Sequence, residues 1–177
     1  MTHKGSFTMN LETLKIIAPE RLQQQSVTAV LLALGSNYQA EKHLPRVRES
    51  LAALGKIKLS TAFKNPDFTA TVELPKPNYT NQCIYLSLTS PVAFGQLQQT
   101  FKQFESDCER QRLIETQTAI KQVTMDIDIL LIKLSNNKNS LSNKNMSEWI
   151  MMADRYPFKA HESAGIEELI AGSGTDC

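Results

Sequence analysis

Hydrophobic positions along the chain follow two different spacings, and each spacing predicts a different kind of element. An unbroken apolar run at Val27–Leu34 predicts a central strand that is buried on both faces. Apolar or β-branched residues occupy every second position at 57–63 and again at 84–88, which predicts two further strands. A last apolar run, Asp126–Ile132, predicts a fourth strand that begins with two carboxylates.

Two other segments repeat apolar residues every three or four positions, which is the spacing of one helix face. The first stripe, at 44–54, has Pro45 near its first turn and Gly55 at the C-terminal cap position. The second stripe, at 94–108, follows Ser90-Pro91, a pair that suits an N-cap and a first helical turn. We interpret the second stripe as core packing.

The predicted order is strand, helix, strand, strand, helix, strand. Split β-α-β units of this kind give an antiparallel sheet with both helices on one face, so we expect an α+β, ferredoxin-like fold. A long connection at 64–78 contains three prolines, and loops of this length are often functional. A weak final helix near 166–170 forms a C-terminal helical tail.

The chain is predicted to contain one domain with accessory segments. Residues 1–25 form an N-terminal extension, in which apolar residues at 11–17 fit a short amphipathic helix ended by Pro19. Residues 26–177 form the domain itself. Within it, the low-complexity Asn/Lys/Ser segment at 136–145 is expected to be a mobile insert.

Composition excludes several classes of protein. The chain has 177 residues, 41% hydrophobic and 21% charged, with a net charge of +1, so no global field favours nucleic acid or a membrane surface. Its longest apolar run is too short to span a bilayer, and the N-terminus lacks the features of a secretory signal. Three cysteines (Cys83, Cys108 and Cys177) lack metal-site spacing, so we expect reduced thiols in the cytoplasm.

Asp126 and Asp128 carry the strongest chemical signal in the sequence. Side chains alternate between the two faces of a strand, so these carboxylates point the same way, with Cα atoms about 6.6 Å apart. A carboxylate pair on a rigid strand suits magnesium and a polyphosphate. The alternative is that both groups are simply solvated on an edge strand. Asp is disfavoured in strands, and unpaired buried carboxylates are costly, which favours a site.

Four motifs in order resemble those of the 6-hydroxymethyl-7,8-dihydropterin pyrophosphokinase family. The motifs are Ala33-Leu34-Gly35-Ser36-Asn37, Tyr79-Thr80-Asn81, Glu105 with Arg110-Gln111-Arg112, and Thr124-Met125-Asp126-Ile127-Asp128-Ile129. Together they cover roughly Val27 to Lys133. Enzymes of this family transfer the pyrophosphoryl group of ATP to a reduced pterin in folate biosynthesis and release AMP.

The resemblance implies a role for each matching residue on the ATP side. Asp126 and Asp128 would hold two Mg²⁺ ions, and Arg110 would join them as a catalytic residue. ATP binding is assigned by the resemblance to Glu105, Arg110, Arg112, Lys121 and Arg155. The implied partners are ATP and a reduced pterin, with no nucleic acid or membrane, and a monomer is expected.

The resemblance also implies a pterin slot. Asn81 offers donor and acceptor groups to the ring edge, and Tyr79 offers a stacking face. Phe158 is a candidate for the second face, and Pro66 lies in a loop that could close over the pterin. The complete predicted pterin set is Asn65, Pro66, Tyr79, Asn81 and Phe158.

The sequence departs from the family pattern at several positions on the ATP side. Lys121-Gln122-Val123 stands where the family has Gly-Pro-Arg, so that arginine is missing, and any charge that Lys121 supplies comes from a flexible point donor and not from a rigid guanidinium. Glu109 stands where a glycine is usual, and the Pro-His-Pro segment after the metal strand is missing. These departures leave open a paralogue that binds pterin or nucleotide without efficient transfer. The strand order leaves open another metal-dependent nucleotidyl enzyme on a palm-like sheet.

Overall fold

The computed structural model describes residues 10–112, 120–135 and 149–172, and its centre is one seven-stranded sheet. The strands are β1 Lys15–Ile17, β2 Ser26–Ser36, β3 Gly55–Leu59, β4 Phe63–Asn65, β5 Tyr79–Ala93, β6 Asp126–Leu134 and β7 Trp149–Met152. The helices are α1 Ala40–Ala52, α2 Phe94–Asp107 and α3 Ala160–Gly172, with short 3-10 helices at Leu11–Thr13 and Pro19–Arg21.

The strand order in the sheet is β1-β7-β6-β2-β5-β3, and β4 also pairs with β5. The central strand β2 is antiparallel to both of its neighbours, β5 and β6, while β1 runs parallel to β7. Nearly all of β2 is buried, as its unbroken apolar run predicts. The predicted α+β class is confirmed.

Hydrophobic residues cover both faces of the sheet. On one face, Leu32 and Leu34 of β2 share a core cluster with Leu51 of α1 and with Leu97 and Phe101 of α2. On the other face, α3 packs chiefly against β5, and its Ile166 and Leu169 share a cluster with Leu31, Leu131 and Trp149. The prediction that α1 and α2 lie on one face is confirmed, as is the final helix. Each large side chain buried in this way contributes about 1.5–3 kcal/mol.

The predicted helix in the N-terminal extension is wrong. Leu11–Thr13 forms a 3-10 helix, and Lys15–Ile17 forms β1. Its backbone groups find partners in β7, with Ile17 opposite Met152. A helix of this length would be marginal, whereas a parallel partner strand satisfies the backbone directly.

Several predicted boundaries also differ from the structure. The strand predicted at 57–63 is split between β3 and β4, and Ser90-Pro91 lies inside β5 rather than at the start of α2. Pro91 is tolerated there because β5 is unpaired with β2 between Ser87 and Val92. Pro45 lies inside α1, which is followed by Ala53 as its C-cap.

Gly55 begins β3 instead of capping α1. A Cβ atom there would clash with the backbone carbonyl of Ser87 on the paired strand β5, so this glycine permits close strand pairing. Cys83 and Cys108 are buried free thiols. The predicted insert at 136–145 and Cys177 lie outside the described residues. No helix in the described ranges is long and apolar enough to cross a membrane.

Candidate active site

Asp126 and Asp128 point to the same face of the sheet. In β2, Gly35 lies opposite Asp126 and Ala33 lies opposite Asp128, and these two β2 residues are themselves two positions apart. Ile127, between the carboxylates, belongs to the core cluster on the other face. The side chain of Asp126 is 38% exposed and that of Asp128 is 16% exposed, so neither carboxylate lies fully in bulk solvent.

Arg110 fixes the position of Asp126. Its side chain is only 4% exposed, and its Nη1 donates to the Asp126 carboxylate at 3.2 Å and to the Met125 carbonyl at 2.8 Å. A buried guanidinium with two acceptors is held in one orientation. Arg112 lies slightly farther from the same carboxylate, at 3.9 Å.

Glu105 connects helix α2 to the strand that carries both carboxylates. Its Oε1 accepts a 2.9 Å hydrogen bond from the backbone N–H of Ile127, and its Oε2 lies 2.7 Å from Arg112 Nη2. Glu105 is buried, and both of its oxygens have protein partners. This geometry favours a positioning role for Glu105, whereas the sequence predicts a direct contact with ATP.

Arg155 approaches the second carboxylate from the turn after β7. Its Nη2 lies 2.5 Å from Asp128 Oδ1. Burial, followed by the neighbouring charge of Asp126, raises the pKa of Asp128 to about 7, although the Arg155 charge opposes this shift. Asp128 therefore changes charge near neutral pH.

A cavity of about 320 Å³ opens in front of these groups. Its lining includes every residue predicted for the ATP side: Glu105, Arg110, Arg112, Lys121, Asp126, Asp128 and Arg155. In the described residues β7 pairs with β6 only at Leu131–Lys133, so the Asp126–Ile129 section of β6 has a free edge beside the cavity. The Ile127 N–H of this section is bound to Glu105, so only part of the edge is open to a ligand.

Three residues of the predicted pterin set lie together on β4 and β5. Asn65 is opposite Tyr79, and its Nδ2 donates to Asn81 Oδ1 at 2.9 Å. Asn81 is in turn opposite Gly35, which is opposite Asp126 on its other side. Asp126, Gly35 and Asn81 thus form one row across three strands, about 9.6 Å from end to end.

Gly35 is the shared neighbour in this row. A Cβ atom at this position would lie 3.1 Å from Asn81 Nδ2, so the lack of a side chain at Gly35 leaves room for the Asn81 amide. Pro66 follows β4 and is exposed. Phe158 has a different neighbour: its ring lies edge-on to Tyr156, with centroids 6.4 Å apart.

Sequence reasoning missed several residues that line the cavity. Gln98 and Lys102 lie on the face of α2 that also carries Glu105, and Pro19 comes from the N-terminal extension. The spacing of Gln98, Lys102 and Glu105 places them on one helix face, which could have indicated that Gln98 and Lys102 line the same site as Glu105. Val123, at the position of the family arginine, is 3% exposed and belongs to the buried residues rather than to the cavity.

The two carboxylates fit magnesium. Within the described ranges no group of three or more His, Cys, Asp or Glu side chains could hold a metal, so a closed protein cage is not formed there. Mg²⁺ does not require one, because it commonly binds through one or two carboxylates together with water and substrate phosphates.

Comparison with protein families gives one match. The family model described as 7,8-dihydro-6-hydroxymethylpterin-pyrophosphokinase matches residues 31–152, which is more than half of the chain. The match includes both carboxylates and the row that contains Asn81, and it ends before Arg155 and Phe158. No curated protein sequence matches the chain.

Proposed function

The chain belongs to the 7,8-dihydro-6-hydroxymethylpterin-pyrophosphokinase family, and from this membership we propose that it transfers the pyrophosphoryl group of ATP to 6-hydroxymethyl-7,8-dihydropterin. The products are AMP and the pterin diphosphate, and the reaction belongs to folate biosynthesis in the cytoplasm. The observation that carries the proposal is the row of Asp126, Gly35 and Asn81. In this row a carboxylate that would bind the metal and phosphates lies in line with an amide that would bind the pterin ring edge.

Asp126 and Asp128 are the residues that would hold two Mg²⁺ ions. Bound there, the ions would neutralise the triphosphate and lower the charge barrier to attack by the pterin hydroxyl. Asp126 is the more exposed carboxylate and therefore the more accessible ligand. Asp128 becomes a good ligand only when ionised, which its raised pKa delays until near neutral pH.

Arg110 and Arg112 serve different purposes in this proposal. Arg110 is buried and bound to the Met125 carbonyl, so it orients Asp126 and adds a fixed positive charge. The side chain of Arg112 is largely exposed and can turn to meet a phosphate oxygen while Glu105 limits its range. Lys121 and Arg155 add charge to the same cavity.

The pterin would lie beside Asn81 and Tyr79. The Asn65 amide donates to Asn81 Oδ1, which fixes the orientation of the Asn81 amide and leaves its Nδ2 group as a donor for the ring edge. Tyr79 provides a stacking surface, and Pro66 and Phe158 would close the slot. The side chains along this row position the hydroxymethyl group towards Asp126, and such positioning is the main catalytic requirement of phosphoryl transfer.

The strand order β6-β2-β5-β3 with α1 and α2 on one face supports a ferredoxin-like core, which we include in the proposal. We also propose that the protein acts as a monomer.

One observation favours a second candidate, a paralogue that binds a ligand without efficient transfer. Val123 is buried where the family carries an arginine. Loss of one arginine from a phosphoryl-transfer site can reduce the rate by orders of magnitude. The third alternative, another metal-dependent nucleotidyl enzyme on a palm-like sheet, is disfavoured as a template binder because the net charge of the chain is only +1.

An assay of AMP release tests the proposal. Protein is incubated with Mg-ATP and 6-hydroxymethyl-7,8-dihydropterin, and a variant with Asp126→Ala and Asp128→Ala serves as the control. The proposal predicts pterin-dependent AMP release that the control lacks. Pterin binding without any AMP above the control would establish the second candidate instead.

A further inference from the structure

The segment Lys15–Gln25 of the N-terminal extension contributes Pro19 to the lining of the cavity, and we call this segment the strap. It begins with β1, whose partner β7 leads directly into the turn that carries Arg155. The carbonyl of Ile17 accepts a 3.0 Å hydrogen bond from the N–H of Ala153. The strap is therefore attached to one wall of the cavity.

The strap is also attached to the opposite wall, helix α2. This helix has Ala93 as its N-cap and no side-chain cap. Instead, the N–H groups of Phe94 and Gly95 donate to the carbonyls of Gln25 and Gln23, at 2.9 Å and 3.1 Å. The strap thus satisfies the first backbone donors of α2, which would otherwise lack partners.

A pair of amides links the strap to the cavity lining. Gln23 Nε2 donates to Gln98 Oε1 at 2.9 Å and to the Pro19 carbonyl at 3.1 Å. A Cβ atom on Gly95 would lie 2.7 Å from Gln23 Oε1, so the glycine allows the amide to lie against α2. Because its Oε1 accepts from Gln23, the orientation of the Gln98 amide is fixed, with its NH₂ group as the remaining donor.

Besides the charged groups, the cavity is lined by Pro19 of the strap, by the amide of Gln98 and by the buried apolar residues Phe94, Phe101 and Met152. The rise of α2 separates Gln98 from Glu105 by about 10 Å. An oriented amide beside apolar side chains, at that distance from the charged groups, suits a flat heteroaromatic ring attached to a polyphosphate.

We infer that the strap forms the base-binding wall of a nucleoside triphosphate site and that Gln23 is a positioning residue for base recognition. The inference rests on the proposed function, because that function places a nucleotide in this cavity. Gln23 acts through Gln98: it holds the Gln98 amide in the orientation that presents its donor to the ring edge. The phosphates would bind near Asp126 and Arg112, so their binding would not depend on the contact between Gln98 and the base.

The test compares Gln23→Ala with Gln24→Ala, a matched control at the neighbouring exposed position. Calorimetry measures the Kd of each protein for Mg-ATP, Mg-GTP and Mg-tripolyphosphate, which has no base. Gln23→Ala should weaken Mg-ATP binding about 2–10-fold, the value of one hydrogen bond, and reduce the preference for ATP over GTP. Tripolyphosphate binding should change less than about twofold.

A second variant, Gln98→Ala, keeps the inference falsifiable if Gln23→Ala folds poorly. Gln98→Ala should weaken Mg-ATP in the same way, and the double variant should lose little more than either single one. Equal Mg-ATP affinity in Gln23→Ala and Gln24→Ala, or an equal loss for tripolyphosphate, would overturn the inference, as would a native protein that binds no Mg-ATP. Native binding of Mg-ATP without AMP release would contradict the transfer proposal alone.

Discussion

Arg155 Nη2 lies 2.5 Å from Asp128 Oδ1, so the more buried carboxylate of the pair has a cationic partner within the protein. Two forces act on this carboxylate in opposite directions. Burial and Asp126 disfavour its ionised form, and Arg155 favours it. The balance leaves Asp128 with a pKa of about 7, which makes the charge at this position sensitive to pH near neutrality.

Binding of magnesium with ATP should therefore depend on pH. The pKa of Asp128 is about 7, so below that pH its carboxyl group is protonated and is a poor ligand, and above that pH it is ionised. We expect affinity for Mg-ATP to rise about tenfold between pH 6 and pH 8, with protons released on binding. Calorimetry in buffers of different ionisation enthalpy measures both quantities. Affinity that is flat over this range, with no proton release, would contradict the raised pKa.

Asp128→Asn should stabilise the fold at neutral to alkaline pH. The folded-state pKa of Asp128 is above its unfolded value, so stability falls as pH rises from about 4 to about 7, and the cost of the ionised carboxylate stays constant above that pH. The asparagine should raise the free energy of unfolding by about 1–3 kcal/mol at pH 8 and by almost nothing at pH 4. Denaturant unfolding at both pH values checks this. An equal effect at both would show that titration is not the cause.

Gly35→Ala should damage the pterin side of the site more than the ATP side. The added Cβ would lie 3.1 Å from Asn81 Nδ2, so the Asn81 amide must shift from its position beside Asn65. We expect pterin binding to weaken about 10-fold or more, the cost of one misplaced hydrogen bond. Mg-ATP binding in the same variant is the internal control. Unchanged pterin affinity would show that Asn81 does not hydrogen-bond to the pterin ring.

Glu105→Ala should lower activity by displacing the strand that carries the carboxylates. The change removes the acceptor of the Ile127 N–H and the partner of Arg112. Leaving these groups unpaired should cost about 1–3 kcal/mol of stability. Glu105→Gln keeps an acceptor for Ile127 and should be milder. The ratio of kcat to KM for both variants, measured beside their unfolding curves, tests this. Equal activity in the two variants would show that the charge of Glu105 matters and that its hydrogen bond to the Ile127 N–H does not.

The sequence predicted the elements whose signals are local. The run at Val27–Leu34, the stripe on α2 and the alternation around Asp126 each depend on neighbouring residues, and each appears in the structure. The same is true of the face shared by Asp126 and Asp128, which follows from strand geometry alone.

The sequence failed where a distant partner decides the outcome. Leu11, Leu14 and Ile17 fit a helix until β7, more than 130 positions away, supplies a partner for β1. The pairing of Gln23 with Gln98 likewise joins residues 75 positions apart. Pro91 suits a helix start, yet the irregular pairing of β5 with β2 accommodates it inside a strand.

The fate of the β-phosphorus of ATP tests the central claim most directly. ATP that carries a label in its β-phosphate is incubated with magnesium, 6-hydroxymethyl-7,8-dihydropterin and the protein, and the products are separated. Pyrophosphoryl transfer at Asp126 and Asp128 predicts that the label appears in the pterin product together with unlabelled AMP. Label that stays in ATP or collects in ADP, with the pterin unchanged, would contradict the account.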